Sequence, residues 1–279
     1  MKFRKIGLLI SFFLILVFLS YGIWSLLKDK EPDAKKEVEV EIIGSEDTKE
    51  LTPYIESEED LLLLQKYQDY NSDVVGIIRI EGTVLNHPIV QTVEDEEYHL
   101  YKDLDKKYNS HGVPFLSKDS QMEGQGSNCV VYGHNIYKIS RDVFADLMGY
   151  KDVEYYKEHP VIETVSESGT RKWLIFAYFI VDNSDVDPFQ YSDVTSFMSE
   201  RAFEEYIYEV QKRNWLDVPL DLSMGDTILT LSSCSKELAG SGTNRMVVMA
   251  KQLDKDEDYF ATVEGAKNAL SPLLPEKLR

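Results

Sequence analysis

Between residues 74 and 250 the chain consists mainly of short apolar runs separated by turn residues. About seven or eight of these runs have the length and composition of β-strands, and most follow one another too closely for the helical crossovers of a parallel sheet. Two pairs are typical of hairpins: 74–80 with 83–90 around Glu81-Gly82, and 160–165 with 171–181 around Glu167-Ser-Gly169. The sequence predicts a mostly antiparallel β-barrel or sandwich with helices at its edges.

Three stretches instead space their apolar residues every three or four positions, which predicts amphipathic helices. They cover residues 58–70, 139–156 and 196–214. Residues 254–279 are polar and carry only a weak apolar patch, so we expect a surface appendage there.

The N-terminus has a different character. Residues 6–27 carry no charge and are strongly apolar, and Lys2, Arg4 and Lys5 precede them. An uncharged run of this length can span a bilayer as a helix, and preceding basic residues favour a cytoplasmic N-terminus. A cleaved signal peptide is the alternative, but the run is long for one and no small-residue cleavage site follows it. The prediction is a single-pass anchor with the bulk of the chain outside the cell.

An acidic linker, residues 28–57, follows the predicted anchor. The whole chain of 279 residues has a formal net charge of -19, which excludes nucleic acid as a partner because phosphate binding needs a basic surface. The predicted organisation is a cytoplasmic tip (1–5), a transmembrane anchor (6–27), the linker (28–57), a catalytic domain (58–253) and the appendage (254–279).

The candidate chemistry lies at strand ends. Cys234 ends the apolar run that begins near Asp226, whereas Cys129 lies inside a run and has the character of a small core residue. A disulfide between these two cysteines is the alternative. A thiol at a strand terminus can reach a cleft and act as a nucleophile if a base stands beside it.

His134 is the best candidate for that base, because it also ends a buried strand, after Gly133. Arg245 opens another apolar strand, where its guanidinium must pair with a carboxylate or project into a cleft and hold an oxyanion. The other four histidines have no metal-ligand spacing, so a zinc site is not predicted. They are His87, His99, His111 and His159.

These residues carry a family resemblance. Thr230-Leu-Ser-Ser-Cys234 resembles the Thr-Leu-x-Thr-Cys signature of sortases, the membrane-anchored transpeptidases of Gram-positive bacteria, with Ser233 where the family often has Thr. The chain order of His134, Cys234 and Arg245 matches the family's catalytic His, Cys and Arg. The helical insert before the cysteine strand and the helix at 58–70 resemble class B. The C-terminal membrane segment and N-terminal lid usual in class C are not seen.

The resemblance implies a closed eight-stranded sortase β-barrel and no cofactor; the calcium site of some class A members is not evident. Cys234 would attack a sorting signal near the C-terminus of a secreted protein, and Arg245 would hold the oxyanion. His134 would exchange protons with the leaving and incoming amines, the latter from a peptidoglycan cross-bridge, usually on lipid II. The substrate groove should run beside residues 182–225. The residues expected to line it are Thr230, Ser232, Ser233 and Asn135.

Several alternatives remain open at this stage. A pilin polymerase would use a pilin lysine as the acceptor amine. Another exported cysteine hydrolase or L,D-transpeptidase would need a different order or motif around the cysteine. A non-catalytic adhesin or assembly subunit would tolerate the loss of Cys234.

Overall fold

The structure is a computed structural model that describes residues 57–122, 126–135, 140–186, 188–234 and 243–278, with Cys234 described through its backbone. The predicted cytoplasmic tip, the predicted anchor and the linker up to residue 56 lie outside these residues. Among the described residues, no helix is both long enough and apolar enough to cross a membrane.

The described residues contain ten strands, four α-helices and two 3-10 helices. The strands are β1 (Val74–Arg79), β2 (Asn86–Val90), β3 (Phe115–Leu116), β4 (Asn128–Gly133), β5 (Val161–Ser166), β6 (Gly169–Asp182), β7 (Leu216–Asp217), β8 (Ile228–Cys234), β9 (Asn244–Gln252) and β10 (Lys267–Asn268). The α-helices are α1 (Glu58–Tyr70), α2 (Val153–Glu158), α3 (Glu200–Arg213) and α4 (Phe260–Gly265). The 3-10 helices are Ala145–Lys151 and Glu276–Leu278.

Eight of these strands close into a barrel in the order β1-β2-β3-β4-β8-β9-β6-β5, while β7 and β10 pair separately. Both predicted hairpins are present, as β1 with β2 and β5 with β6. Two barrel contacts are parallel, β2 with β3 and β4 with β8. The parallel pairing of β4 with β8 makes the ends of these two strands meet at one rim, although a hundred residues separate them in the chain.

The barrel is filled by apolar side chains and covered on one outer face by α3. Leu229, Leu231 and Val248 belong to the interior cluster. Alternate residues of the same strands, such as Ile228 and Val247, pack against Phe203 and its neighbours on α3. Because both faces of these strands are buried, β6, β8 and β9 carry long apolar runs rather than strict alternation of apolar and polar residues.

Helix α1 packs against β1 and β5 of the barrel, as its predicted amphipathic pattern requires. The Ser57 hydroxyl accepts a hydrogen bond from the Asp60 backbone N–H and caps the helix. Asp60 then accepts two hydrogen bonds from the Arg79 guanidinium, at 2.7 and 2.9 Å, which join α1 to β1. Leu64 buries the apolar face of the helix.

The structure corrects the predicted helix at 139–156. A 3-10 helix (Ala145–Lys151) and the short α2 stand there instead, with Asp152 between them in an extended conformation. The Asp152 side chain accepts from the Glu154 backbone N–H, so it caps α2 and begins a new helix rather than continuing the old one. The predicted third helix, 196–214, is confirmed as α3, which begins after its Ser199 cap.

The predicted appendage contains α4, β10 and the second 3-10 helix, and it contacts the barrel domain at several points. Strand β10 pairs with β7, and the Leu273 N–H donates to the Lys212 carbonyl at 2.7 Å. The Lys277 ammonium lies 2.9 Å from the carboxylate of Asp182, whose side chain is fully buried. The segment is therefore packed along its length against the domain.

Candidate active site

The site is built from the ends of three neighbouring strands. In the parallel pair β4 and β8, Gly133 lies opposite Ser233, so His134 and Cys234 each follow at the same rim. In the antiparallel pair β8 and β9, Cys234 lies directly opposite Arg245. Since adjacent strands are separated by about 4.8 Å, this register brings the backbones of the three residues together at one end of the barrel.

His134 is half-buried and held on two sides. The Tyr101 ring packs on its imidazole, with 5.0 Å between ring centroids and a 47° tilt. The His134 carbonyl accepts a hydrogen bond from the Phe144 N–H at 3.0 Å. Gly133 makes room for this arrangement, because a Cβ at that position would lie 2.7 Å from the Phe144 ring. Glycine is required here for close packing beside the histidine.

Arg245 is the second residue of β9, and its guanidinium donates to the Asn244 carbonyl at 3.1 Å. Its positive charge also acts on the phenol of Tyr132 in β4. Burial raises the pKa of Tyr132; Glu96 and Asp193 add to this shift, and Arg245 opposes it. Tyr132 and Arg245 thus belong to the two strands that flank β8, the strand that carries Cys234.

Thr230 and Ser232, which were predicted to contact substrate, are both buried in the structure. The Thr230 hydroxyl donates to the Asn128 side-chain oxygen at 2.6 Å, and the Ser232 hydroxyl bonds the Tyr191 hydroxyl at 2.6 Å. The Asn128 amide also donates to the Val194 carbonyl at 2.9 Å. These groups fasten the segment around residues 191–194 onto β4 and β8, so the two hydroxyls are covered and used within the barrel wall.

Ser233 and Asn135 have structural contacts as well. The Ser233 hydroxyl donates to the Gly133 carbonyl at 2.7 Å and joins the ends of β4 and β8. Asn135 is buried and forms an isolated antiparallel bridge with Val143. Both residues lie next to the rim, where Ser233 fixes the backbone through its hydroxyl and Asn135 through its backbone bridge.

The second cysteine has the predicted core environment. Cys129 is a free thiol, buried within β4, and burial raises its pKa to about 12. A thiol with this pKa is protonated at neutral pH and unreactive. The alternative of a disulfide between the two cysteines is therefore wrong in this structure.

One neighbour of His134 and one group of residues that contacts the turn beside its segment leave no signal in the sequence. One is Tyr101, which lies in an aromatic run whose pattern indicates only a short strand. The other is a contact group of His87, His111 and Asp142, which come from three separate parts of the chain. Only the fold shows that Asp142 contacts both imidazoles and precedes Val143 and Phe144, which contact the histidine segment. No group of three or more His, Cys, Asp or Glu side chains in the described part of the chain is placed to hold a metal ion.

Comparison with known proteins agrees with this geometry. A family model described as "Sortase domain" matches residues 78–253. The chain belongs to the sortase family. Among curated relatives, Sortase B of Staphylococcus aureus (strain NCTC 8325 / PS 47) is 23% identical over 257 residues, which cover 90% of this chain and 98% of the relative. Sortase B of Listeria monocytogenes serovar 1/2a (strain ATCC BAA-679 / EGD-e) is 29% identical over 192 residues, or 69% of this chain and 74% of the relative.

Solved sortase structures share the fold. The X-ray structure of Clostridium perfringens sortase B has a TM-score of 0.59 at 25% identity, covering 68% of this chain and 99% of that one. The S. aureus sortase B-substrate complex has a TM-score of 0.61 at 24% identity, covering 68% of this chain and 84% of that one. The closed barrel is thus the sortase barrel, and the protein is a cysteine transpeptidase of the class B type.

Proposed function

We propose that this sortase is a membrane-anchored sorting enzyme in which Cys234 is the nucleophile, His134 the proton carrier and Arg245 the oxyanion donor. The observation that carries the assignment is the register at the rim, where Cys234 lies opposite Arg245 and His134 follows the neighbouring strand. Histidine, cysteine and arginine are the groups that acyl transfer through a thioester needs.

In the proposed reaction, the Cys234 thiolate attacks the carbonyl carbon of a peptide bond in a sorting signal. Electrons move onto the carbonyl oxygen, and the Arg245 guanidinium stabilises this oxyanion. When the intermediate collapses, the carbon–nitrogen bond breaks and the His134 imidazolium protonates the departing amine. An acceptor amine then attacks the thioester, His134 takes its proton, and the Cys234 thiolate leaves.

The proposed clients are secreted proteins with a C-terminal sorting motif, and the proposed acceptor is an amine of lipid II or the peptidoglycan cross-bridge. Two sortase B structures at 24% identity support this, one described as a substrate complex and one as a complex with triglycine. An acceptor lysine of a pilin subunit is the competing possibility.

The test uses the full chain, a pool of fluorogenic sorting peptides and two acceptors, triglycine and a lysine-containing peptide. Wild type is compared with Cys234→Ala and with Cys129→Ala, the matched control that removes the other thiol. We expect transfer to triglycine by wild type and Cys129→Ala, and none by Cys234→Ala. Transfer to the lysine peptide alone would assign the pilin-type acceptor, and transfer by Cys234→Ala would refute the proposal.

The proposed location is the cell membrane, with residues 6–27 as the anchor, the N-terminus in the cytoplasm and the catalytic domain outside. The uncharged apolar sequence of that stretch and the basic residues before it support this topology. Protease added to intact protoplasts should digest the catalytic domain and leave the membrane fraction with the N-terminal peptide. A mature protein whose first residue lies beyond 27 would instead indicate a cleaved signal peptide.

A further inference from the structure

One carboxylate outside the three proposed catalytic residues lies between two imidazoles. The Asp142 Oδ2 atom accepts a hydrogen bond from His111 Nδ1 at 3.0 Å. The His87 Nε2 atom lies 3.0 Å from the other oxygen, Oδ1. We call His87, His111 and Asp142 the imidazole–carboxylate cluster. It joins β2, the loop before β3 and the segment that precedes the first 3-10 helix.

The next residue after Asp142 has a strained backbone. Val143 has a φ of +51°, in the left-handed region that a branched side chain rarely adopts. It is also buried in the barrel core, so its side chain cannot turn into solvent. A residue in such a conformation persists only where its surroundings hold it in place. Asp142 provides part of this hold, since its Oδ1 also accepts the Val143 N–H at 2.9 Å.

The strained turn is attached directly to the segment of His134. Val143 forms an antiparallel bridge with Asn135, and the Phe144 N–H donates to the His134 carbonyl at 3.0 Å. The Phe144 ring also fills the space beside Gly133. A change in the turn at 142–144 therefore moves the backbone on both sides of His134.

We infer that the imidazole–carboxylate cluster positions His134 for catalysis by holding the strained turn at 142–144 against the histidine segment. The inference rests on the proposed role of His134. His87, His111 and Asp142 are thus positioning residues that act through the backbone. Proton transfer requires correct placement of the imidazole, and a displacement of about 1 Å at a catalytic group can lower a rate by about a hundredfold.

The first test is Asp142→Asn in the full chain, beside the double variant His87→Gln/His111→Gln. Both keep the approximate size of the side chains and remove the carboxylate–imidazole contacts. His159→Gln is the control, because the His159 ring bonds a backbone carbonyl, that of Glu81, rather than a carboxylate. We expect kcat to fall by about tenfold or more in the two cluster variants, with KM within about twofold of wild type, and no change in the control.

The second test separates positioning from general stability through the strain at Val143. In the Asp142→Asn background, Val143→Gly and Val143→Ala remove similar side-chain packing, but glycine alone adopts a positive φ without strain. We expect the glycine variant to recover kcat several-fold relative to the alanine variant when both are assayed at a temperature at which both are fully folded. Equal kcat values in the two, or a kcat in Asp142→Asn equal to that of wild type, would overturn the inference.

The pH profile of Cys234 alkylation by iodoacetamide tests the inference without a peptide substrate. It therefore distinguishes failure of the inference from failure of the proposed function. If wild type transfers no peptide, this profile alone decides the inference, since a displaced His134 changes the pH at which the neighbouring thiol ionises. We expect the midpoint to shift by about half a pH unit or more in Asp142→Asn. A profile identical to that of wild type and His159→Gln would overturn it.

Discussion

Replacing Thr230 by valine tests whether the hydroxyls of β8 belong to the barrel wall or to the substrate groove. Threonine and valine have nearly the same shape, so the change leaves no cavity and removes one hydroxyl. That hydroxyl is buried and donates to the Asn128 side-chain oxygen at 2.6 Å. Loss of the bond leaves a buried acceptor without this donor, which typically costs about 1–3 kcal/mol of unfolding free energy.

For a domain of this size, that cost corresponds to a fall in Tm of roughly 2–12 °C. The assay is thermal unfolding of the full chain followed by circular dichroism, together with KM for a sorting peptide. The matched control is Thr92→Val, at an exposed turn where the Thr92 hydroxyl donates to the Asp95 carbonyl. We expect the control to change stability by less than about 0.5 kcal/mol.

A structural role and a substrate-binding role of Thr230 predict opposite results in this experiment. The burial of Thr230 predicts a lower Tm with KM unchanged. A KM raised several-fold at an unchanged Tm would refute the reasoning and support the predicted contact of Thr230 with substrate.

Three further predictions concern the rim and the C-terminal segment. Gly133→Ala places a Cβ 2.7 Å from the Phe144 ring, so the backbone beside the histidine must shift and kcat should fall by about 10- to 100-fold; an unchanged kcat would contradict this packing. Arg245→Ala should lower kcat by about 10²–10³-fold while iodoacetamide still labels the nucleophilic thiol, and a retained kcat would remove the oxyanion role. Lys277→Met should lower the free energy of unfolding in urea at pH 7 by about 1.5 kcal/mol, because the buried Asp182 loses a charged hydrogen bond from a half-exposed lysine. Lys277→Arg keeps the positive charge and should lower it much less. Burial would raise the pKa of Asp182, but its hydrogen bonds outweigh burial and hold the pKa well below its ordinary value. This stability is therefore present at neutral pH, begins to be lost as the pH falls below about 4, and disappears only as the pH passes through the depressed pKa of the folded state. A Lys277→Met variant as stable as wild type at pH 7 would contradict it.

Local sequence patterns predicted the parts of the fold that local chemistry determines. The two hairpins and the helix at 58–70 follow from turn residues and periodic spacing, and all are present. The prediction of a single helix at 139–156 is wrong, because the apolar spacing there belongs to two short helices and the cap at Asp152 begins the second helix. Periodicity alone cannot show where such a cap divides a helix.

Long-range contacts account for what the sequence could not predict at the site. Strand-end positions indicated His134 and Cys234, and the parallel register of β4 with β8 brings those ends together. Alternation along β8 could not reveal that Tyr191, some forty residues earlier in the chain, covers Ser232. Likewise, the contact of Asp142 with two distant histidines depends on the closed barrel. Catalytic roles at the three rim residues remain predictions.

The most direct test of the central claim is intact-mass spectrometry of the enzyme trapped with a sorting peptide, followed by mapping of the modified residue. Wild type, Cys129→Ala and Cys234→Ala would each be quenched in acid, with and without triglycine. The account predicts an acyl adduct on Cys234 in the first two proteins, absent from Cys234→Ala and discharged by triglycine. An adduct that persists in Cys234→Ala, or peptide cleavage by wild type with no acyl-enzyme under any quench, would contradict it.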